Sequence, residues 1–314
     1  MPLPIIDVSR LSAGDAAPRR AVAAELHRAC LDKGFFYVVG HGVPPGLIDA
    51  VLAQTRTFFA QPLQTKLAVD MKRSSCNRGY EPLRGQRLEA DAPADLKEGF
   101  YLGLDLPPDD PRVRAQRFNR GPNLWPADLP GFRPTMRAYF AAMLDLGERL
   151  MAGLALALGL PEDHFAGFVR EPLAGLRLLH YPPQPATAAP NEKGAGAHTD
   201  FGSLTLLLQD DIGGLQVWDA DSAAWIDAAP VAGAYVVNLG DIIARWTNDR
   251  YRSTLHRVIN ASGRERYSVP FFFAGNPDQL VECIPACLAA GEHPRYEVTT
   301  IEQHLQQMYR KTYG

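Results

Sequence analysis

The spacing of apolar residues changes character part-way along the chain. In the first half, apolar positions recur every three or four residues. After Pro18, which can open a helix, Val22, Leu26, Ala29 and Cys30 form one stripe, and Gly34 ends it. Pro44-Pro45 starts a second helix to about Phe59, and Pro62 a short third to about Val69. The longest helical pattern runs from Pro134 to Leu158. It carries Met136, Phe140, Met143, Leu144, Leu150, Leu154 and Leu158 on one face and stops at Gly159. Two strands interrupt this half, PIIDV at 4–8 and GFFYVVG at 34–40. From Leu176 onward the rhythm is that of strands: LRLLHY, SLTLLLQD, GLQVW, AWIDA, AYVVNLGDII, STLHRVI and RYSVPFFF, with turns at short intervals. That spacing predicts an antiparallel sandwich or barrel, not a βαβ repeat. Residues 301–312 read as a terminal helix.

Two segments fit neither rhythm. Residues 71–101 are polar, partly basic and poor in periodicity, yet Tyr80, Phe100 and Tyr101 predict an ordered segment. Residues 105–131 are rich in Pro and Asp and read as irregular connection, with Trp125 as a packing anchor. The expected organisation is one unit, 1–314. A mainly helical part, 1–170, would hold the 71–101 loop, an all-β core would span 171–300, and a helix would close the chain at 301–314.

Composition narrows the class. The 314 residues carry a formal charge of −3, with 46% apolar and 21% charged residues, as in an ordinary globular protein with a sizeable core. The near-neutral balance offers no electrostatic footprint for nucleic acid. Cys30, Cys76, Cys283 and Cys287 make no disulfide framework, and no apolar run reaches membrane-spanning length. No Gly-rich phosphate loop joins a strand to a helix, so a nucleotide cofactor is not expected. The N-terminus lacks a signal-peptide pattern. A monomeric cytoplasmic protein, or a small homo-oligomer, is the expectation.

Candidate chemistry gathers around His198-Thr199-Asp200. A second histidine, His256, follows in YRSTLHRVIN, and Arg266-Tyr267-Ser268 comes shortly after it. Two imidazoles and one carboxylate make the facial set of a non-haem Fe(II) centre. Zinc accepts the same ligand types. The absence of a thiolate, and the Arg-x-Ser pair downstream, favour Fe(II). In a strand Arg266 and Ser268 point the same way, so together they can hold a carboxylate. His41 reads as a turn histidine, His164 as an exposed loop residue and Trp246 as packing. Asn238, Asp241 and Asn248 read as turn and rim residues. His180 should face away from Tyr181.

These motifs, with PIIDVSRL, GFFYVVGHGVP, NRGYEPL, LLHYPP, HTDFGSLTLLLQD, GGLQV, NLGD, WTNDRYRSTLHRV and RYSVPFF, cover nearly the whole chain. The sequence resembles the 2-oxoglutarate- and Fe(II)-dependent dioxygenase superfamily, in the branch containing isopenicillin N synthase and the plant flavonoid, gibberellin and ethylene-forming oxygenases. The resemblance implies a distorted double-stranded β-helix, a jelly roll, with helices on its outer face and the triad inside one open end. It implies that His198, Asp200 and His256 hold Fe(II), that Arg266 and Ser268 hold the distal carboxylate of 2-oxoglutarate, and that Tyr181 lies near this cosubstrate. Some plant relatives carry asparagine where this chain has Leu179. The implied reaction consumes O2 and 2-oxoglutarate, releases succinate and oxidises a C–H bond of a small metabolite, most simply by hydroxylation. Two alternatives stay open: an isopenicillin N synthase-like oxidase or cyclase without 2-oxoglutarate, and a metal-binding jelly roll without catalysis. The resemblance also places residues 71–101 over the mouth of the site. Arg78, Tyr80, Lys97 and Phe100 are therefore the expected substrate contacts, and the basic residues there suit an acidic or amphipathic metabolite.

Overall fold

A computed structural model of the chain describes residues 2–185, 187–189 and 191–313. An eight-stranded sheet forms its centre, in the order Ile5–Asp7, Phe35–Val39, Tyr235–Leu239, Leu204–Gln209, Arg266–Gly275, Leu173–Tyr181, Glu98–Gly103, Gly79–Glu81. A four-stranded sheet, Ala195–His198, His256–Val258, Leu215–Asp219 and Ala224–Asp227, lies opposite. Only the first pair of the large sheet is parallel; its other pairings are antiparallel. With the helices on its outer face, this is the distorted double-stranded β-helix that the strand spacing and the family resemblance led us to expect.

Side-chain alternation divides the molecule into two cores. In the strand Arg266–Gly275, Val269, Phe271 and Phe273 face the helices. Ser268, Pro270 and Phe272 face the opposite way, into a cavity between the sheets. The long helix, Phe132–Ala157, lies across the outer face. Gly147 permits the close approach: a Cβ there would sit 3.0 Å from the Phe273 ring. Between the sheets, Phe35, Tyr37, Leu179, Leu215, Val217 and Val258 make a second, smaller core.

Three sequence expectations change. AYVVNLGDII is not one strand: pairing ends at Leu239 and Asp241–Trp246 is a helix. Gly240 turns the chain because its neighbours leave no room for a side chain; a Cβ would lie 2.3 Å from the Gly202 carbonyl. The amides of Asp241 and Ile242 then donate to the carbonyls of Asp200 and Gly202. The 71–101 segment is loop only in part, because Gly79–Glu81 and Glu98–Gly103 form the edge of the large sheet and the loop hangs between them. Residues 105–131 include a short helix, Pro111–Arg114, capped by the Asp110 carboxylate. The terminal helix runs Ile301–Tyr313. No helix among the described residues is long and apolar enough to cross a membrane.

Candidate metal centre and cosubstrate site

The small sheet brings the two histidines together. His198 ends one strand and His256 begins the next, and they are direct register partners. Their ring centroids are 4.3 Å apart. Asp200 follows His198 where the chain leaves the strand. Its Oδ1 lies 3.9 Å from His198 Nε2 and 3.8 Å from His256 Nε2. One donor atom from each residue falls within 4.8 Å of the others.

Hydrogen bonds leave one ligand atom on each residue facing inward. His198 Nδ1 donates to the Gly196 carbonyl at 2.7 Å, and His256 Nδ1 to the Thr254 carbonyl at 3.1 Å. A carbonyl can only accept, so both Nδ1 atoms carry the proton and both Nε2 lone pairs are available. Asp200 Oδ2 is occupied by Thr205 Oγ1 at 2.6 Å and Asn238 Nδ2 at 2.7 Å, which turns Oδ1 toward the histidines. Burial, helped by neighbouring His256, pulls the His198 imidazole down to about 3, so it stays neutral as a metal ligand must. Burial pushes the Asp200 carboxyl up, but His256, His198, Asn238 and Thr205 outweigh it and hold it below its ordinary value. Two imidazoles and one carboxylate, without thiolate, suit Fe(II).

Arg266 lies deeper on the neighbouring wall and is fully buried. Its Nε donates to the Gly213 carbonyl, Nη1 to Ser268 Oγ and Nη2 to Gln209 Oε1. Tyr181, its cross-strand partner, holds its ring 4.7 Å from the guanidinium carbon. Burial raises the Tyr181 phenol, partly offset by Arg266 and Ser268. These partners are neutral. A buried guanidinium without an anion is costly, and a carboxylate is the group whose two oxygens could offset that cost here.

Residues 3–128 match the family described as non-haem dioxygenase in morphine synthesis N-terminal. Residues 173–275 match the 2OG-Fe(II) oxygenase superfamily. A 2-oxoglutarate-Fe(II) type oxidoreductase of Emericella nidulans, hxnY, is 46% identical over 99% of this chain and 90% of its own length. This chain belongs to the 2-oxoglutarate- and Fe(II)-dependent oxygenases. A 2-oxoglutarate-dependent dioxygenase of Monascus ruber, citB, is 41% identical over 99% of this chain and 96% of its own length. Among solved structures, a full-length Neurospora crassa protein in complex with alpha-KG (2-oxoglutarate) and thymine superposes with a TM-score of 0.86. It is 33% identical and covers 98% of this chain and 96% of its own. This oxygenase therefore uses Fe(II) and 2-oxoglutarate to oxidise a small molecule.

The oxygenase's cavity joins the triad, Arg266 and Ser268 to a wall from the N-terminal half that includes Arg78, Lys97 and Tyr101. Lys97 is buried against Asp95, whose other oxygen accepts the Gly196 amide at 3.0 Å. Glu89 accepts the Ala197 amide at 3.0 Å. The 82–97 loop is thus clasped to the strand that carries His198. Tyr80 and Phe100 are a correction: both point away from the cavity, into the helical core. Phe100 packs on Phe58 and Phe132, and the Tyr80 hydroxyl donates to Glu98. Alternation in Glu98–Gly103 decides this, since Tyr101, one residue on, faces the cavity.

Asn238 is the second correction. It is a strand residue that touches Asp200 directly, not a turn residue at the rim. Thr205 was not singled out by its sequence context at all. Each had a signal, being a polar side chain set among the apolar residues of a buried strand. Asp241 is half-buried outside that cavity, accepting from Ser253 Oγ at 2.7 Å. Asn248 instead bonds Glu292 and His293 away from the cavity. His41 closes its turn through Val43 and Gly233, His164 is exposed, and His180 faces away from Tyr181, as expected.

Proposed function

We propose that His198, Asp200 and His256 hold the Fe(II), that Arg266 and Ser268 bind the distal carboxylate of 2-oxoglutarate with Tyr181 beside them, and that the enzyme hydroxylates an unactivated C–H bond. The observation that carries this is the anion-less Arg266–Ser268 pair, which shares one cavity with the triad. Bound Fe(II), with O2 and 2-oxoglutarate, supplies the oxidising power, and the oxo acid leaves as succinate and carbon dioxide.

The chain's own residues do the positioning. The carbonyl-bonded Nδ1 atoms fix both imidazoles. Thr205 and Asn238 hold one Asp200 oxygen so that the other faces the metal position. Arg266 sets the orientation of the cosubstrate through two of its nitrogens and the Ser268 hydroxyl. Leu179, opposite Ser268 across the sheet, contributes apolar surface where some relatives offer an amide. Arg78, Lys97 and Tyr101 form the substrate side of the same cavity.

The quoted motifs support placing the chain in the branch that contains isopenicillin N synthase, acting as a cytoplasmic monomer. The 46%-identical relative is described as a 2-oxoglutarate-Fe(II) oxidoreductase, which supports cosubstrate use by this chain. The test is succinate release across a metabolite library, with mass analysis of the product. Succinate in step with a gain of one oxygen is expected. Substrate oxidation without succinate overturns the cosubstrate assignment, and a loss of two hydrogens overturns hydroxylation.

A further inference from the structure

Arg78 is a second buried guanidinium in the cavity wall, on the side left to the substrate. It is 6% exposed. Nη1 donates to the Cys76 carbonyl at 2.8 Å and the Asn77 carbonyl at 3.3 Å, and Nη2 to the Asn119 carbonyl at 2.8 Å. Nε is buried without an acceptor, and Nη2 keeps a second N–H. These two nitrogens share one edge of the planar group, the two-donor fork that matches a carboxylate. Burial pulls the Arg78 pKa down; the groups opposing it are Cys76 and Tyr309, neither a carboxylate.

A glycine lets the guanidinium settle in this position. A Cβ on Gly103 would stand 2.0 Å from Arg78 Nη2 and 2.6 Å from Nε. Gly103 does not satisfy the fork: its carbonyl accepts from Asn123 Nδ2 at 2.8 Å, and the acceptors of Arg78 are the carbonyls of Cys76, Asn77 and Asn119. Lys97, the other buried cation on this wall, is already paired with Asp95. Arg19 and Arg245 also have a lone Nε, but neither lines this cavity. Leu179, Pro270 and Phe272 supply apolar wall in the cavity that also holds the triad.

We propose that Arg78 binds a carboxylate carried by the primary substrate, which is therefore a small monocarboxylate with an apolar body. This rests on reading the cavity as the site of oxidation. It assigns Arg266 to the cosubstrate's anion and Arg78 to the substrate's.

The experiment uses the full chain loaded with Fe(II) and saturating 2-oxoglutarate without O2, so that Arg266 is occupied and nothing turns over. Calorimetry then measures benzoate, phenylacetate, cyclohexanecarboxylate and hexanoate, each against its primary amide. At least one acid is expected to bind better than its amide. Arg78→Gln should weaken that acid by about 30-fold or more and leave the amide unchanged. Arg78→Lys should recover part of the loss, because it restores the charge without the fork. Gly103→Ala, with Arg78 intact, should also weaken the acid selectively, and it decides the matter if Arg78→Gln fails to fold. The 2-oxoglutarate affinity should stay constant in every folded variant.

The inference is overturned if no acid is preferred over its amide. It is equally overturned if Arg78→Gln keeps the preference, or weakens acid and amide alike, since the latter marks a packing role. Failure of 2-oxoglutarate to bind the wild type, or binding indifferent to Arg266→Leu, would instead overturn the reading of the cavity. Normal cosubstrate binding through Arg266, with an indifferent Arg78, defeats this inference alone.

Discussion

Asn238 donates its side-chain amide to Asp200 Oδ2 at 2.7 Å, from a strand of the other sheet. With Thr205 on the same oxygen, it leaves Oδ1 as the one Asp200 oxygen directed at the histidines. Asn238→Ala should therefore weaken Fe(II) binding by about 10- to 100-fold while the fold persists. Anaerobic iron titration beside circular dichroism checks this, and unchanged affinity would show that the loop alone holds the carboxylate. Thr205→Val should have the same sign.

Arg266→Leu should weaken 2-oxoglutarate binding by about 2–5 kcal/mol and leave iron affinity nearly unchanged. The arginine is buried, with neutral partners at 3.3 Å on two of its nitrogens. Ser268→Ala should act in the same direction by about 1 kcal/mol, since it removes one neutral hydrogen bond. Calorimetry on the Fe(II)-loaded protein separates the two affinities.

Phe100→Ala should cost about 3–5 kcal/mol of stability through the cavity it opens among Phe58 and Phe132. Below its melting range the variant should bind substrate like the wild type, because the ring faces the helices. Denaturant unfolding together with substrate titration tests both halves. A stable variant with lost substrate affinity would return Phe100 to the pocket.

His180 should make stability depend on pH. Glu98 Oε1 meets its Nδ1 at 2.7 Å, and Glu265 meets the other ring nitrogen. Burial lowers the imidazole's pKa, but the two carboxylates outweigh it and the net shift is upward. A raised histidine contributes fully below its unfolded pKa of about 6.5 and loses that contribution as pH rises through the folded value. The Tm difference between wild type and His180→Gln should thus be largest near about pH 6 and shrink toward about pH 9. A difference that stays constant over this range would mean the ring matters only by packing on Tyr267, on which it stacks at 4.8 Å.

Much of this protein was legible in the chain itself, where the physics is local. Apolar stripes every three or four residues marked the long helix to within two residues, since a helix buries one face whatever it packs against. HTD, the later His256 and the Arg266/Ser268 alternation named the chemistry, because ligand type and strand period are properties of the residues. Tertiary structure alone decided which strands meet. It paired His198 with His256 and set Asn238 on Asp200, partners far apart in the chain, and it turned Thr205 onto the same carboxylate. It also decided which face of Glu98–Gly103 looks inward. Tyr80 and Phe100 went to the helical core and Arg78 to the cavity. A one-residue change of register would have reversed them, and only the surfaces packed on either side of the sheet choose between the two.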